Sequence, residues 1–292
     1  MGVLNEAVVA LRRRSTYTGQ LREAARVAAV VALYPLGVAN SAVDAAVSWG
    51  GGSIPCKPED ASSTPVLLVH GCGGNKSSWI SLTAHLRQAG YGHIETMNYN
   101  AATATVPEIA ERLVKRVEAM RTRTGSDKVH LVGHSLGGVI LRYAVTELGL
   151  DAHTSAALTI ASPHGGTPVA HIGVFAQRCG LHNAAADITP GSVVLARLDR
   201  SNGGRSVRWT AYYSNLDMVV PARAAQLHVA GLRVTNILIR DAGHVGLLLD
   251  HRLLKSVTSE LRAADANADP KAVELSLVTP RRSMHTTLAK SA

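Results

Sequence analysis

The sequence predicts an α/β fold in which helices cover both faces of a mostly parallel β-sheet. Short apolar runs typical of buried strands alternate along the chain with longer segments whose apolar residues recur at helical spacing. Strands that alternate with helices in this way form parallel sheets. The chain has 292 residues, 46% of them hydrophobic, which is enough for one large domain with a substantial core.

Residues 1–63 differ in pattern from the rest of the chain. Three consecutive arginines, Arg12–Arg14, precede residues 27–43, which carry no charged side chain and are interrupted by Pro35. This order of basic and apolar residues is compatible with three structures: a packed or surface-lying helix, a membrane anchor, and a long export signal. The Gly-, Ser- and Pro-rich stretch 49–65 predicts a connector to the main domain.

The main domain is predicted to begin with a strand, a helix and a second strand. The apolar run over residues 65–71 is typical of a buried strand. Ser77 or Ser78 can cap the helix that follows, which is predicted to run to Ala89. Residues 94–99 predict the second strand.

An amphipathic helix is predicted next, over residues 106–125, with a glycine at its end. Its apolar residues at helical spacing are Ile109, Leu113, Val117 and Met120. Residues 128–133 then read as a strand. The alternation therefore continues without a break into the central part of the chain.

The second half of the domain repeats the same alternation. A helix is predicted over residues 136–149, followed by strands over 156–162, 207–214 and 233–240. A final helix is predicted over residues 251–264 and closes the main domain, which is predicted to span residues 64–262. The polar and weakly patterned residues 263–292 predict a loose tail.

A serine lies between two glycines at the point where the third predicted strand turns into a helix. In the sequence GHSLGG, Ser135 is flanked at a distance of two residues by Gly133 and Gly137. This pattern can form a nucleophile elbow, in which the serine takes a strained backbone conformation and projects its Oγ above the carboxyl end of the sheet. The glycines would allow strand and helix to approach closely. An ordinary glycine-rich turn is the alternative, so the prediction depends on other motifs.

A second glycine-rich turn follows the first predicted strand, in the sequence VHGCGGN. It would leave the backbone N–H of Cys72 free, while the N–H of Leu136 lies at the start of the helix after the serine, where amide dipoles favour negative charge. Together these two groups would form an oxyanion hole, each worth about 10²–10³ in rate. The side chain of His70 is expected to brace this loop rather than to take part in chemistry.

Asp217 and His244 are the predicted partners of the serine. Asp217 follows a predicted strand, whereas the competing Asp187 and Asp199 follow none, and Asp241 lies only three residues before the histidine, too close to reach its ring easily. His244 follows the last predicted strand and precedes an apolar helix start. The order serine, aspartate, histidine is typical of strand–turn–helix nucleophile elbows.

The motifs VHGCGGN, GHSLGG, LDMVVP and GHVGLL together resemble those of the α/β-hydrolase superfamily and, more closely, of a group of bacterial triacylglycerol lipases and esterases. The resemblance covers residues 64–262 and implies hydrolysis of acyl esters, often lipid esters, without a metal or organic cofactor. The chain departs from the smallest members of the group in its N-terminal segment, in a cysteine beside the oxyanion glycine and in an insert over residues 169–206. The insert can be a lid, part of an acyl pocket or a plain surface excursion.

These residues together suggest a mechanism. His244 would take the proton of Ser135 as the serine attacks an ester carbonyl, and Asp217 would hold the imidazole in the useful tautomer. An acyl-enzyme would form and water would hydrolyse it. Histidine ordinarily titrates near pH 6.5, so activity is expected to fall below about pH 6 to 7.

Two further side chains are candidates for the pocket. His164, in ASPHGGTP, follows a strand and is expected to shape a loop at the same sheet edge. The thiol of Cys72 would either lie near the pocket mouth or be buried and inert. The three cysteines fit no metal site, and a bridge between Cys56 and Cys179 is open only if the protein is exported.

The charge of the chain limits the classes of partner. The formal net charge is +9, but the sequence contains neither zinc-ligand spacing nor a nucleic-acid motif, so a solvated basic surface is expected rather than nucleic-acid binding. The N-terminal segment is a candidate for contact with a membrane surface. The expected location of the protein is the cytoplasm or the membrane periphery, with export as the alternative. An acyltransferase with the same triad and a membrane-tethered, non-catalytic binding protein are the alternatives to a hydrolase. The motifs do not encode acyl chain length.

Overall fold

A computed structural model of the protein describes residues 64–171 and 183–268. Within these ranges six parallel strands form one sheet in the order β2-β1-β3-β4-β5-β6. The strands are β1 (Val66–Val69), β2 (Ile94–Met97), β3 (Val129–His134), β4 (Thr154–Ile160), β5 (Arg208–Tyr213) and β6 (Arg233–Leu238). The helices are α1 (Ile80–Gln88), α2 (Val106–Thr124), α3 (Leu136–Glu147), α4 (Val193–Arg200), α5 (Ala222–Ala225) and α6 (His251–Ala268).

The helices cover both faces of the sheet, and each face has its own hydrophobic core. Helices α2, α3 and α4 pack on one face, and their buried side chains form one cluster with those of the strands. Helices α1 and α6 pack on the opposite face in a second cluster. The predicted α/β class with a parallel sheet and helices on both faces is therefore confirmed.

Helix α2 forms for the reasons that its sequence indicates. Thr105 caps it in a capping box with Glu108, which satisfies free N–H groups at the N-terminus. Gly125 ends it in a left-handed conformation with φ 70°. The four apolar residues predicted at helical spacing are all buried, namely Ile109, Leu113, Val117 and Met120.

The start of the first helical segment differs from the prediction. Asn75, rather than Ser77 or Ser78, is the cap, because its side chain accepts a hydrogen bond from the backbone N–H of Ser77 at 2.9 Å. A short 3₁₀ turn, Lys76–Trp79, then leads into α1. The asparagine side chain reaches the amide two residues on, which is the geometry that favours this residue at a cap.

Helix α6 continues to Ala268, beyond the predicted end of the domain at residue 262. Its last turns are packed against the sheet. Asp265 accepts a hydrogen bond from Tyr91 Oη at 2.9 Å and lies 2.8 Å from Nε2 of the fully buried His130. These polar contacts, together with the buried Ala264, anchor the end of α6 to the domain.

Several predictions fall on residues that the structure does not describe. They are the N-terminal segment 1–63, the tail beyond 268, and residues 172–182 of the insert, together with Cys56 and Cys179. Among the helices of the described ranges, none combines the length and apolar character that crossing a membrane would need.

Candidate active site

Ser135 lies in the turn between β3 and α3. Its φ of 54° and ψ of −125° are a strained conformation for a residue with a side chain. The turn is held because the N–H of Ser135 donates to the carbonyl of Ile160 at 2.8 Å. The residue is only 8% exposed, so its side chain lies below the surface at the carboxyl end of the sheet.

The two glycines around Ser135 lie where strand and helix are in direct contact. A Cβ on Gly133 would lie 2.6 Å from the N of Gly138, and a Cβ on Gly137 would lie 2.2 Å from the carbonyl oxygen of Val69. Neither position has room for a side chain. The tight turn therefore depends on glycine at both positions for steric reasons.

Asp217 and His244 come together from the loops after β5 and β6. Nδ1 of His244 lies 2.8 Å from Oδ2 of Asp217. The other carboxylate oxygen of Asp217 accepts hydrogen bonds from the N–H groups of Val219 at 2.9 Å and Val220 at 2.8 Å. The carboxylate is thus fixed on both sides, and its side chain is only 1% exposed.

The three competing aspartates have other roles in the structure. Asp187 accepts a hydrogen bond from the N–H of Val106 at 2.7 Å. Asp199 accepts one from the guanidinium of the buried Arg142 at 2.9 Å. Asp241 is exposed. Of the four candidate acids, Asp217 is the one hydrogen-bonded to the predicted histidine.

The His244 loop lies directly against the elbow through His134, the residue before the serine. The two imidazole rings are 4.8 Å apart between centroids, and Nε2 of His134 lies 3.1 Å from the carbonyl oxygen of His244. Burial first, and then the charge of His244, lower the pKa of His134 to about 3. Sequence reasoning did not assign this histidine a role, since only its place in the motif marked it.

The glycine-rich turn after β1 packs on the elbow from the other side. A Cβ on Gly71 would lie 2.8 Å from Cβ of Ser135. Cys72 follows in this turn and is exposed, whereas Leu136 is buried in the first turn of α3. In the described part of the chain, neither backbone N–H donates to a carbonyl in a turn or loop. Leu136 directly follows Ser135 in the chain, and Cys72 directly follows the Gly71 that packs on it.

His70 holds this turn in place. Its ring stacks on Tyr99 at 4.3 Å between centroids, with the ring planes 1° apart, and its Nδ1 lies 2.8 Å from the carbonyl oxygen of Gly71. The hydroxyl of Tyr99 donates to the carbonyl of His70 at 2.6 Å. Burial lowers the pKa of His70, although the contact with the Gly71 carbonyl opposes this. A neutral imidazole that braces the loop fits these contacts.

His164 and the insert also contact the main body of the domain. Nε2 of His164 lies 3.0 Å from Oγ1 of Thr159, and burial, then the charge of Arg142, lower the pKa of this histidine well below its usual range. The described part of the insert contains α4, which packs on α3 through Leu195. Residues 183–206 thus pack against the domain rather than projecting from it.

The described residues contain no cluster of acidic, cysteine or histidine side chains arranged to hold a metal ion. Cys72 is the free cysteine among them, and partial burial raises the pKa of its thiol. The groups that meet at this edge of the sheet are the serine of the elbow, His244 and the carboxylate of Asp217.

Comparison with known proteins gives a match to an esterase family model and a match to a lipase. A family model described as "Putative serine esterase (DUF676)" matches residues 62–188. A curated relative, a triacylglycerol lipase from Vibrio cholerae, is 29% identical over 155 residues, which are 49% of this chain and 46% of the relative. The matched segment therefore spans less than half of that protein.

Solved structures show the same architecture at low sequence identity. The mature Bacillus licheniformis lipase BlEst2 superimposes with a TM-score of 0.59 at 17% identity, covering 71% of this chain and 95% of that one. Aspergillus fumigatus lipase B gives 0.60 at 17% identity, covering 77% and 58%. A Paleococcus ferrophilus monoacylglycerol lipase gives 0.53 at 15% identity, covering 69% and 96%. The fold is that of the α/β-hydrolases.

Proposed function

We propose that the protein is a serine carboxylic-ester hydrolase that acts on lipid acyl esters through Ser135, His244 and Asp217. The observation that carries the proposal is the 2.8 Å contact between His244 and Asp217 beside the elbow that holds the serine. These residues come from three separate loops at the carboxyl ends of the strands, which is where parallel α/β folds place their active sites. The esterase family match and the lipase relative support the same reaction class.

In the proposed mechanism Asp217 acts through His244. Its Oδ2 accepts the Nδ1 proton of the imidazole, so that Nε2 is the basic nitrogen and can take the proton of the serine as Oγ attacks the ester carbonyl. The carboxylate then stabilises the imidazolium. The alcohol leaves, an acyl-enzyme remains on Ser135, and water, activated by the same imidazole, releases the acid.

The oxyanion of each tetrahedral intermediate would accept hydrogen bonds from the N–H groups of Cys72 and Leu136. Two features support this role. The turn that contains Cys72 lies against Ser135, as the close approach of Gly71 indicates. The N–H of Leu136 is at the start of α3, where the helix dipole stabilises negative charge.

Lipid esters are the proposed substrates because exposed apolar side chains surround this edge of the sheet. In the described ranges the large exposed hydrophobic side chains are Ile80, Val169, Val193, Met218 and Val219, and we call this set the apolar rim. Ile80 and Val193 are the first residues of α1 and α4, helices that run back from the carboxyl edge of the sheet. The other three lie in loops that follow β4 and β5, next to each other, since Thr167 donates to the carbonyl of Val219.

The one-sided distribution of the apolar rim favours contact with a lipid surface. Met218 is 77% exposed although it directly follows Asp217, and Val193 is 84% exposed. Single exposed hydrophobic residues are ordinary on soluble proteins, but a set confined to one edge indicates an interaction site. A substrate held in a lipid aggregate would meet this edge first.

The first test is hydrolysis of p-nitrophenyl esters over a ladder of acyl chain lengths. We expect turnover with a preference for long chains, and a loss of about 10⁶ in kcat in Ser135→Ala, because the triad acts as a unit. Ser126→Ala, at the opposite edge of the sheet, is the matched control and should keep wild-type turnover.

Three outcomes would change the proposal. Retained turnover in Ser135→Ala would exclude this serine as the nucleophile. A preference for short chains would leave the esterase chemistry but exclude lipid substrates. Transfer of the acyl group to an added alcohol in preference to water would identify an acyltransferase.

A Met218→Ser variant should lose activity on emulsified esters while keeping it on a dissolved short ester, because the rim would act only at a lipid surface.

A further inference from the structure

We infer that His134 is a positioning residue that holds the main chain of His244 against the nucleophile elbow. The inference rests on the proposed function, since the positioned imidazole is the general base in that mechanism. His134 is the last residue of β3 and Ser135 follows it directly. A hydrogen bond made by the His134 side chain therefore joins the His244 loop to the residue directly before the nucleophile.

The contact has a defined direction. Nε2 of His134 lies 3.1 Å from the carbonyl oxygen of His244, which can only accept a hydrogen bond. Nε2 of His134 must therefore carry a proton and donate it. The neighbouring rings, 4.8 Å apart and inclined at 46°, add packing to this bond.

The other side of the His134 ring faces the turn after β1. A Cβ on Gly71 would lie 3.0 Å from Nδ1 of His134 as well as 2.8 Å from Cβ of Ser135. The ring is thus enclosed by the elbow, the His244 loop and the turn that supplies the proposed oxyanion donor. At 6% exposure it has no open face through which it could reach a substrate.

His134 is suited to this task because it stays neutral. Burial and the charge of His244 lower its pKa to about 3, so it does not take up the proton that the general base must carry. A neutral imidazole has one N–H, and the carbonyl of His244 receives it. The group is a donor of fixed direction across the working pH range.

The loop that carries His244 is also held on either side of the His244 carbonyl. Asp217 holds the imidazole by Nδ1, and Ser214 Oγ donates to the carbonyl of Ala242 at 2.5 Å. The bond from His134 fixes the carbonyl of His244 itself, between these two points. Because displacement of a catalytic group by about 1 Å can cost about 10²-fold in rate, an anchor on this peptide affects the chemical step.

The test compares His134→Gln with His134→Leu. The glutamine amide can present an N–H donor near the position of Nε2, whereas leucine fills similar volume without a donor. We expect His134→Leu to lower kcat by about 10- to 100-fold with little change in KM, and His134→Gln to recover most of that loss. A packing role alone would affect both variants equally.

A second measurement does not depend on activity. Amide hydrogen exchange should become faster over residues 242–250 in His134→Leu, including the Leu247 N–H that donates to Gly243, and stay near wild type in His134→Gln. His130→Leu, on the same strand but at its other end, is the control. It should lower stability without changing kcat of the folded protein or exchange in this loop.

The outcomes separate this inference from the proposed function. If the wild type neither turns over esters nor reacts with a fluorophosphonate at Ser135, the proposed function fails, and the exchange data alone decide whether His134 holds the loop. Equal kcat and equal exchange in the leucine and glutamine variants would overturn the inference even in an active esterase.

Discussion

Acidification should destabilise the protein through His134, and His134→Gln should remove that part of the effect. The pKa of this histidine is lowered to about 3 by burial and by the charge of His244. In the unfolded chain the pKa of a histidine is about 6.5. Below that value the unfolded chain binds a proton that the folded protein excludes, so the free energy of unfolding falls as the pH is lowered.

The size of the effect follows from the two pKa values. Each pH unit between them is worth about 1.4 kcal/mol. From about pH 7 to about pH 5 the contribution lost is about 2 kcal/mol, and it would reach about 4 kcal/mol near pH 3. Since many domains have only about 5–15 kcal/mol of stability, this single group can dominate acid unfolding.

Urea unfolding at about pH 7 and about pH 5 measures the difference directly. The wild type should lose about 2 kcal/mol more than His134→Gln between the two conditions, because all other histidines are common to both proteins. His228→Gln, at an exposed position, is the control and should keep the wild-type pH dependence. Equal pH dependence in wild type and His134→Gln would refute the reasoning that His134 is buried in its neutral form.

Three further substitutions, one of them with a matched control, test the site and the fold. Asp217→Asn should lower kcat by about 10⁴ with little change in melting temperature, and a variant within tenfold of wild type would exclude this residue as the triad acid. Gly137→Ala should cost at least about 3 kcal/mol in urea unfolding, because its Cβ would lie 2.2 Å from the carbonyl oxygen of Val69. Gly149→Ala, with open space around it, should cost only about 1 kcal/mol, and an equal cost for both would contradict the steric argument. Asp265→Asn should cost about 1–3 kcal/mol by thermal or urea unfolding, and unchanged stability would mean that the end of α6 is not anchored by this carboxylate.

Local patterns in the sequence were sufficient for the fold class. Strand β1 is a short apolar run, and the buried face of α2 is visible as a repeat of apolar residues from Ile109 to Met120. These patterns exist because a buried face imposes a period on the residues that line it. Capping depends instead on individual side-chain geometry, which is why Asn75 took the place predicted for Ser77 or Ser78.

The end of the domain likewise depends on individual side-chain contacts rather than on a local pattern. Asp265 lies 2.8 Å from Nε2 of His130 across 135 positions of sequence, and no local pattern of apolar residues records a polar contact of this kind. The residues proposed for the triad could be selected from the sequence because motif order and strand ends restricted the choice. Their catalytic roles and the oxyanion hole remain proposals for the experiments above.

The sequence by itself determined which segments become strands and helices, and it placed a serine, an aspartate and a histidine after strands that are parallel. Only the tertiary structure decided that His134 donates to the His244 carbonyl across 110 positions of sequence. Periodicity records whether a residue faces the core, but a contact between two distant loops depends on how the strands are ordered in the sheet, which no local pattern contains.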